Sequence, residues 1–211
     1  TLTHDPKIAL EKQTREQLLA ALPNVAAFPN VAALPNIVEA HKPVSTKPIT
    51  NPLPYWTRLI VGADPGSQGE IWAKPEFDHG RWKTMSVPGH FDSAELPGFD
   101  GVVWFRKTVE LSQEQAASAA IVHLGQIDDM DVTWVNGTRV GGYEVLGHHY
   151  TLREYPVQGG VLKPGKNVIA VRVMDHGSPG GIAGTPEQLF LQLGDERISL
   201  ANRWHFASGA N

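Results

Sequence analysis

The 211-residue chain carries 18 Lys plus Arg against 22 Asp plus Glu, a formal charge of −4. That excludes a general polyanion binder, because phosphate neutralisation needs a basic excess gathered on one face. A hydrophobic content of 41% supports one core, while 21 Gly and 16 Pro exclude an all-helical bundle. The absence of cysteine removes disulfide scaffolds, thiolate zinc sites, iron–sulfur clusters and thiol nucleophiles together.

No stretch approaches the roughly 18 consecutive apolar residues of a membrane span. The start at Thr1 rather than Met is expected of a processed product, an excised piece or a fragment. Asp5 and Pro6 supply a cap and a first-turn residue for a short helix over Lys7 to Ala21. A six-residue repeat follows in three copies, Ala20 to Val25, Ala26 to Val31 and Ala32 to Ile37. Each copy holds a proline that no continuous helix or central strand tolerates, so a linker is favoured over a solenoid turn, which three copies are too few to bury. With Pro43, Pro48, Pro52 and Pro54 beyond, residues 1–54 form one expected unit, a helix plus a Pro-rich extended arm, and residues 55–211 a second.

From Tyr55 onward the sequence reads as short β-type runs between turn signals, the pattern of an antiparallel β-sandwich or jelly roll of mainly β class. Strands are expected at Val102 to Leu111, Ala119 to Leu124 and Asp131 to Val135. The last runs into Asn136-Gly137, a hairpin turn in which both residues accept positive φ, with Thr138 to Gly141 returning. Further strands are expected at Tyr150 to Val157, Asn167 to Met174 after the turn Lys163 to Lys166, Gln188 to Leu193 and Ile198 to Ala201. No βαβ alternation occurs.

Hydrolytic chemistry finds little support. There is no Gly-x-Ser-x-Gly elbow and no Asp-x-x-His pair. Asp175-His176 are adjacent, so on a strand they point to opposite faces and make no dyad. None of the nine histidines shows His-x-x-x-His or His-x-His spacing. Asp128, Asp129 and Asp131 offer carboxylates for a structural calcium but lack an EF-hand's glycine-centred loop, and hydrogen bonding to amides or an arginine is the favoured use. No cofactor is otherwise expected. A glycosidase needs two carboxyl groups across a cleft, and no spacing singles out such a pair.

Sugar binding needs aromatic faces and planar polar groups that read hydroxyls. Trp104 and Trp134 sit mid-strand in apolar runs and are expected in the core. Trp56 and Trp72, in turn-rich sequence, are the candidate platforms. Asp128, Asn136, Arg153, Tyr155, Asp175 and His176 are the candidate polar groups at strand ends or loops.

Arg81 to His90 followed by Phe99 to Lys107 resembles the opening of the sugar-binding jelly roll of glycoside hydrolase family two. The run Leu124 to Gly141, with Arg153 to Val157, Lys163 to Val173 and Asp175 to Gly184, more closely resembles the galactose-binding-like β-domain inserted into sialate O-acetylesterase-like SGNH esterases. That resemblance covers about half the chain and leaves out the six-residue repeat. It implies a non-catalytic accessory carbohydrate-binding domain of a carbohydrate O-acetylesterase, or an insert that braces the esterase halves without binding sugar. Its implied partners are a polysaccharide or acetylated glycan and the SGNH domain of the parent chain, with no nucleic acid and no membrane. The implied location is extracellular or periplasmic. In that setting the loops at Asp128, Arg153 and Asp175 would wall the substrate cleft.

Overall fold

A computed structural model describes residues 55–92, 95–177 and 179–211, with the side chains of residues 55 and 56 left aside. The expected N-terminal helix, the six-residue repeat and the Pro-rich arm lie outside the described residues. Helix α1 (Tyr55–Ala63) and a 3₁₀ turn (Gln68–Ala73) precede β1 (Lys83–Val87), β2 (Gly89–His90) and β3 (Gly101–Leu111). A short helix α2 (Gln113–Ala117) leads to β4 (Ala120–Asp128), β5 (Met130–Val135), β6 (Thr138–Tyr143), β7 (Leu152–Val157) and β8 (Gly165–Asp175). The chain ends with β9 (Gly181–Ala183), a 3₁₀ turn (Pro186–Gln188), β10 (Leu189–Leu193), β11 (Glu196–Ser199) and β12 (Asn202–Ser208).

The described residues are mainly β, arranged as an antiparallel sandwich. One sheet runs β1-β12-β3-β8-β5-β6 and the other β11-β10-β4-β9-β2. Strands β10 and β9 occupy successive stretches of one edge of β4, and β7 pairs along its other edge. The core between the sheets follows from period-two alternation. Val103, Phe105, Ile169, Val171 and Val173 of the first sheet face Val122, Leu124, Ile127, Leu189 and Leu191 of the second. The expected turn at Asn136-Gly137 forms with φ of 49° and 77°, and the Asn136 side chain fastens it by accepting from Val168 N–H and donating to Val161 O.

The central strands of the first sheet are buried on both faces. Val102, Trp104, Val132, Trp134, Ala170 and Met174 point outward into a second core, with Ala73 within it and Ile60, Val61, Trp72 and Trp82 packed against it. A strap of residues 57–82 thus covers this face. Asp64 pins it: the buried carboxylate accepts from Ser67 N–H, the Ser67 hydroxyl and Trp104 Nε1. Arg106 holds its far end, donating to Trp72 O and Lys74 O and, through Nε, to His79 Nδ1.

The strap corrects the expectation of β-type runs from Tyr55. Residues Thr57, Ile60, Val61 and Asp64 recur at helical spacing and face the sheet, so a segment rich in aromatic and β-branched residues folds as helix under tertiary control. Four strands also go beyond the expected set. β12 alternates buried Trp204 and Phe206 with more exposed Arg203 and His205. β1 pairs with β12, and the very short β2 and β9 pair with each other.

A candidate site at the acidic end of the sandwich

One end of the sandwich is acidic. There the β4–β5 corner brings Asp128 and Asp129, β8 delivers Asp175, and β2 delivers His90 followed by Asp92. The loop between β6 and β7 adds His148, His149 and Tyr150. Of these, Asp175 is wholly buried. Its Oδ1 accepts the Gly177 N–H at 3.1 Å, and its Oδ2 has no partner among the described residues. Burial, with the nearby carboxylates of Asp92, Asp129 and Asp100, pushes its carboxyl up to about 7, against the opposing Gly177 hydrogen bond. A carboxyl that keeps its proton up to near neutral pH and has one unpartnered oxygen can pair with a hydroxyl, which would reach it where the Gly180 loop covers it.

The following loop is built around that group. Gly180 lies so close that a Cβ there would fall 2.4 Å from Phe91 Cζ and 2.5 Å from Asp175 Cγ, so only glycine fits. Its N–H donates to Asp92 Oδ2 at 2.6 Å, and the neighbouring His176 N–H donates to Asp129 Oδ2 at 3.0 Å. At Asp128 the carboxyl is also raised, first by burial and then by a hydrogen bond and repulsion from Asp129. One oxygen each of Asp128 and Asp129 and one ring nitrogen of His149 lie within 4.8 Å of one another. These residues could hold a metal ion.

Behind the acidic end stands a buried cluster. Arg153 donates from Nε to Asp131 Oδ1 at 2.8 Å, and Tyr155 donates its hydroxyl to Asp131 Oδ2 at 2.8 Å. The guanidinium also donates to the carbonyls of His148, Thr151, Ile127 and Asp129. All five of its N–H donors are thereby engaged. It ties the β4–β5 corner to the β6–β7 loop.

The expected sugar-reading residues therefore separate. Asp128 and Asp175 meet at the acidic end, with His176 exposed beside them and its partner in the dipeptide turned inward. Arg153 and Tyr155, expected at a loop or strand end, are buried in β7. Alternation turns them inward, where Asp131 requires them. Asn136 lies at the opposite end of β5, its side chain used in the hairpin. Trp72 is tucked into the strap, with ring centroids 5.1 Å from Trp82 and 6.1 Å from Trp104, and is no open platform. Trp56 lies on α1, and its side chain falls outside the described residues. The proposed calcium triplet also splits, because Asp131 faces Arg153 in the interior while Asp128 and Asp129 sit at the corner. Sequence reasoning missed Tyr150, which is 79% exposed, its ring centroid 4.2 Å from that of His149 and tilted 59° to it. The only hint was its place after two histidines in a run without apolar periodicity.

Residues 69–178 match the sequence family described as Beta-galactosidase second all-beta domain. Solved structures similar in fold include a glycosyl hydrolase family 2 member from Bacteroides cellulosilyticus, 23% identical over 52% of this chain and 17% of that one, with a TM-score of 0.43. Others are a calcium-binding mutant of Bacteroides uniformis beta-glucuronidase 2, 20% identical over 64% and 15% with a TM-score of 0.46, and Bifidobacterium dentium beta-glucuronidase complexed with coumarin-3-O-glucuronide, 21% identical over 49% and 16% with a TM-score of 0.41. The chain spans less than a fifth of the length of each. No curated protein matches it.

The family match overturns the expected SGNH esterase parent, and with it both the accessory and the bracing role in a carbohydrate O-acetylesterase. The runs that suggested the esterase insert are the end of β4 with β5 and β6, then β7, β8 and the loop into β9. They encode strand pairing and core packing, which any host of this sandwich shares. With its match extending over more than half of the sequence, the chain belongs to the family of β-galactosidase second all-β domains.

Proposed function

We propose that the chain is the non-catalytic β-sandwich domain of a multidomain β-glycosidase of glycoside hydrolase family 2, and that its acidic end lines the sugar cleft of that enzyme. The observation that carries the reading is Asp175, wholly buried with one carboxyl oxygen unpartnered at the end of the sandwich. A buried acceptor left open costs stability, so it is retained where a ligand group completes it. Membership in a family of β-galactosidase domains supports a glycoside as that ligand. In this reading Asp175 accepts from a sugar hydroxyl and Tyr150 offers a ring face, while another domain supplies the hydrolytic carboxylates.

The test is Asp175→Asn in the full parent enzyme, assayed on 4-nitrophenyl β-D-galactoside and β-D-glucuronide. Removal of the carboxylate acceptor is expected to lower kcat/KM about 100-fold for the preferred glycoside, with the thermal transition no lower than that of the unaltered enzyme. Unchanged kcat/KM on every hydrolysed glycoside would remove Asp175 from the cleft.

A further inference from the structure

The shoulder of the acidic end brings two carboxylates and two imidazoles together for a purpose the sugar reading does not require. Asp128 and Asp129 are partly buried neighbours, and no ion pair with Lys, Arg or His reaches either among the described residues. The one guanidinium nearby, Arg153, gives its Nε to Asp131 and only a carbonyl contact to Asp129. His149, from a loop 20 residues further along the chain, places a ring nitrogen within 4.8 Å of an oxygen of each.

A second imidazole stands nearby on another strand. In the second sheet His90 pairs with Gly181, and Gly181 pairs with Asp128. Residues directly opposite in antiparallel strands share a face, so His90 and Asp128 flank a position that has no side chain to separate them. His90 Nδ1 is buried without a partner, and both imidazoles act electrostatically on the Asp128 carboxylate. An orphaned imidazole nitrogen beside two carboxylates that have no cationic partner is a donor set without its acceptor.

We infer that Asp128, Asp129 and His149 form a divalent-cation site of mixed oxygen and imidazole ligation, suited to Zn²⁺, with His90 beside it. Zinc takes both donor types at about 2.0–2.2 Å, with ligand atoms about 3.3 Å apart in a tetrahedron. The three donor atoms, all within 4.8 Å of one another, need only side-chain rotation to reach that. An oxygen-only Ca²⁺ site would leave the His149 imidazole unused. Arg153 is the positioning residue, since its bonds to Ile127 O, Asp129 O and His148 O fix the two segments that carry the ligands.

The experiment uses the 211-residue chain, so it is independent of any activity in the parent. Metal content after chelation, Zn²⁺ loading and gel filtration is expected to be one equivalent. Calorimetry should show binding weakened about tenfold or more by Asp128→Asn and by His149→Ala, and unchanged by His123→Gln on the outer face of the second sheet. In case a variant fails to fold, the histidine ring resonances of the unaltered chain decide: those of His149 and His90 should move on Zn²⁺ addition and that of His123 should not. Absence of retained zinc, equal affinity in a folded Asp128→Asn, His149→Ala double variant, or saturation without a response at either imidazole would each overturn the site.

Discussion

Arg153 lies at the end of a chain of local necessities. Asp131 points into the interior because its neighbours Met130 and Val132 face the second core, and a carboxylate there must be paired and hydrogen-bonded. Arg153 and Tyr155, two apart on β7, meet that demand from the opposite sheet. Arg153→Met is expected to lower unfolding free energy by about 3–5 kcal/mol, since the buried carboxylate is left uncompensated, and Tyr155→Phe by about 1–2 kcal/mol; urea unfolding of the 211-residue chain checks both. Asp175 gives the opposite sign. Its folded pKa, about 7, stands above the usual carboxylate value, so it weakens the fold as pH rises from about 4 through 7. Asp175→Asn should therefore raise Tm at pH 8 by several degrees and change it little at pH 4; equal shifts at both pH values would show that the carboxyl does not titrate in that window. That a carboxylate of the Asp128 to Asp131 run would pair with an arginine was legible in sequence; that Asp131, Arg153 and Tyr155 all turn inward was not, because alternation tells which residues share a face but not which face is the interior when both are buried.

At the scale of elements, β3 to β8, β10 and β11 were legible in sequence, most sharply those with apolar runs and strong turn signals: β3, β5 with the Asn136-Gly137 hairpin, and β8. The strap was illegible because helix α1 takes its stability from the face it covers. Its far end carries a pH-sensitive contact. Burial, the Arg106 charge and the neighbouring His205 lower the pKa of His79, and Arg106 donates to its Nδ1. The stabilisation is therefore complete above about pH 6.5 and is lost as pH falls through the lower folded value. Below pH 6 the tryptophan emission from Trp72 and Trp82 should shift to longer wavelength as the strap loosens, and His79→Gln, which keeps an acceptor for Arg106, should remove most of that shift. An identical shift in the variant would assign it elsewhere. Helix α2 is held by a capping box between Ser112 and Gln115, so Ser112→Ala should cost about 1 kcal/mol in urea unfolding.

For the whole molecule, the sandwich and its antiparallel class follow from composition and periodicity, while the host does not. Motifs such as Asp131 to Gly137 are packing and turn solutions, whereas the residues proposed to face a ligand, Asp175 and Tyr150, lie where the pattern breaks. Asp175 was a candidate from its place after a strand, but its burial and unpartnered oxygen and the exposed ring of Tyr150 are visible only in the fold. Service in a β-glycosidase is decided by assaying the full parent enzyme for both chemistries, release of 4-nitrophenol from β-glycosides and release of acetate from acetylated glycans, beside the 211-residue chain alone. The expected outcome is β-glycoside hydrolysis by the parent and none by the chain. Acetate release by the parent without hydrolysis of any β-glycoside would contradict it.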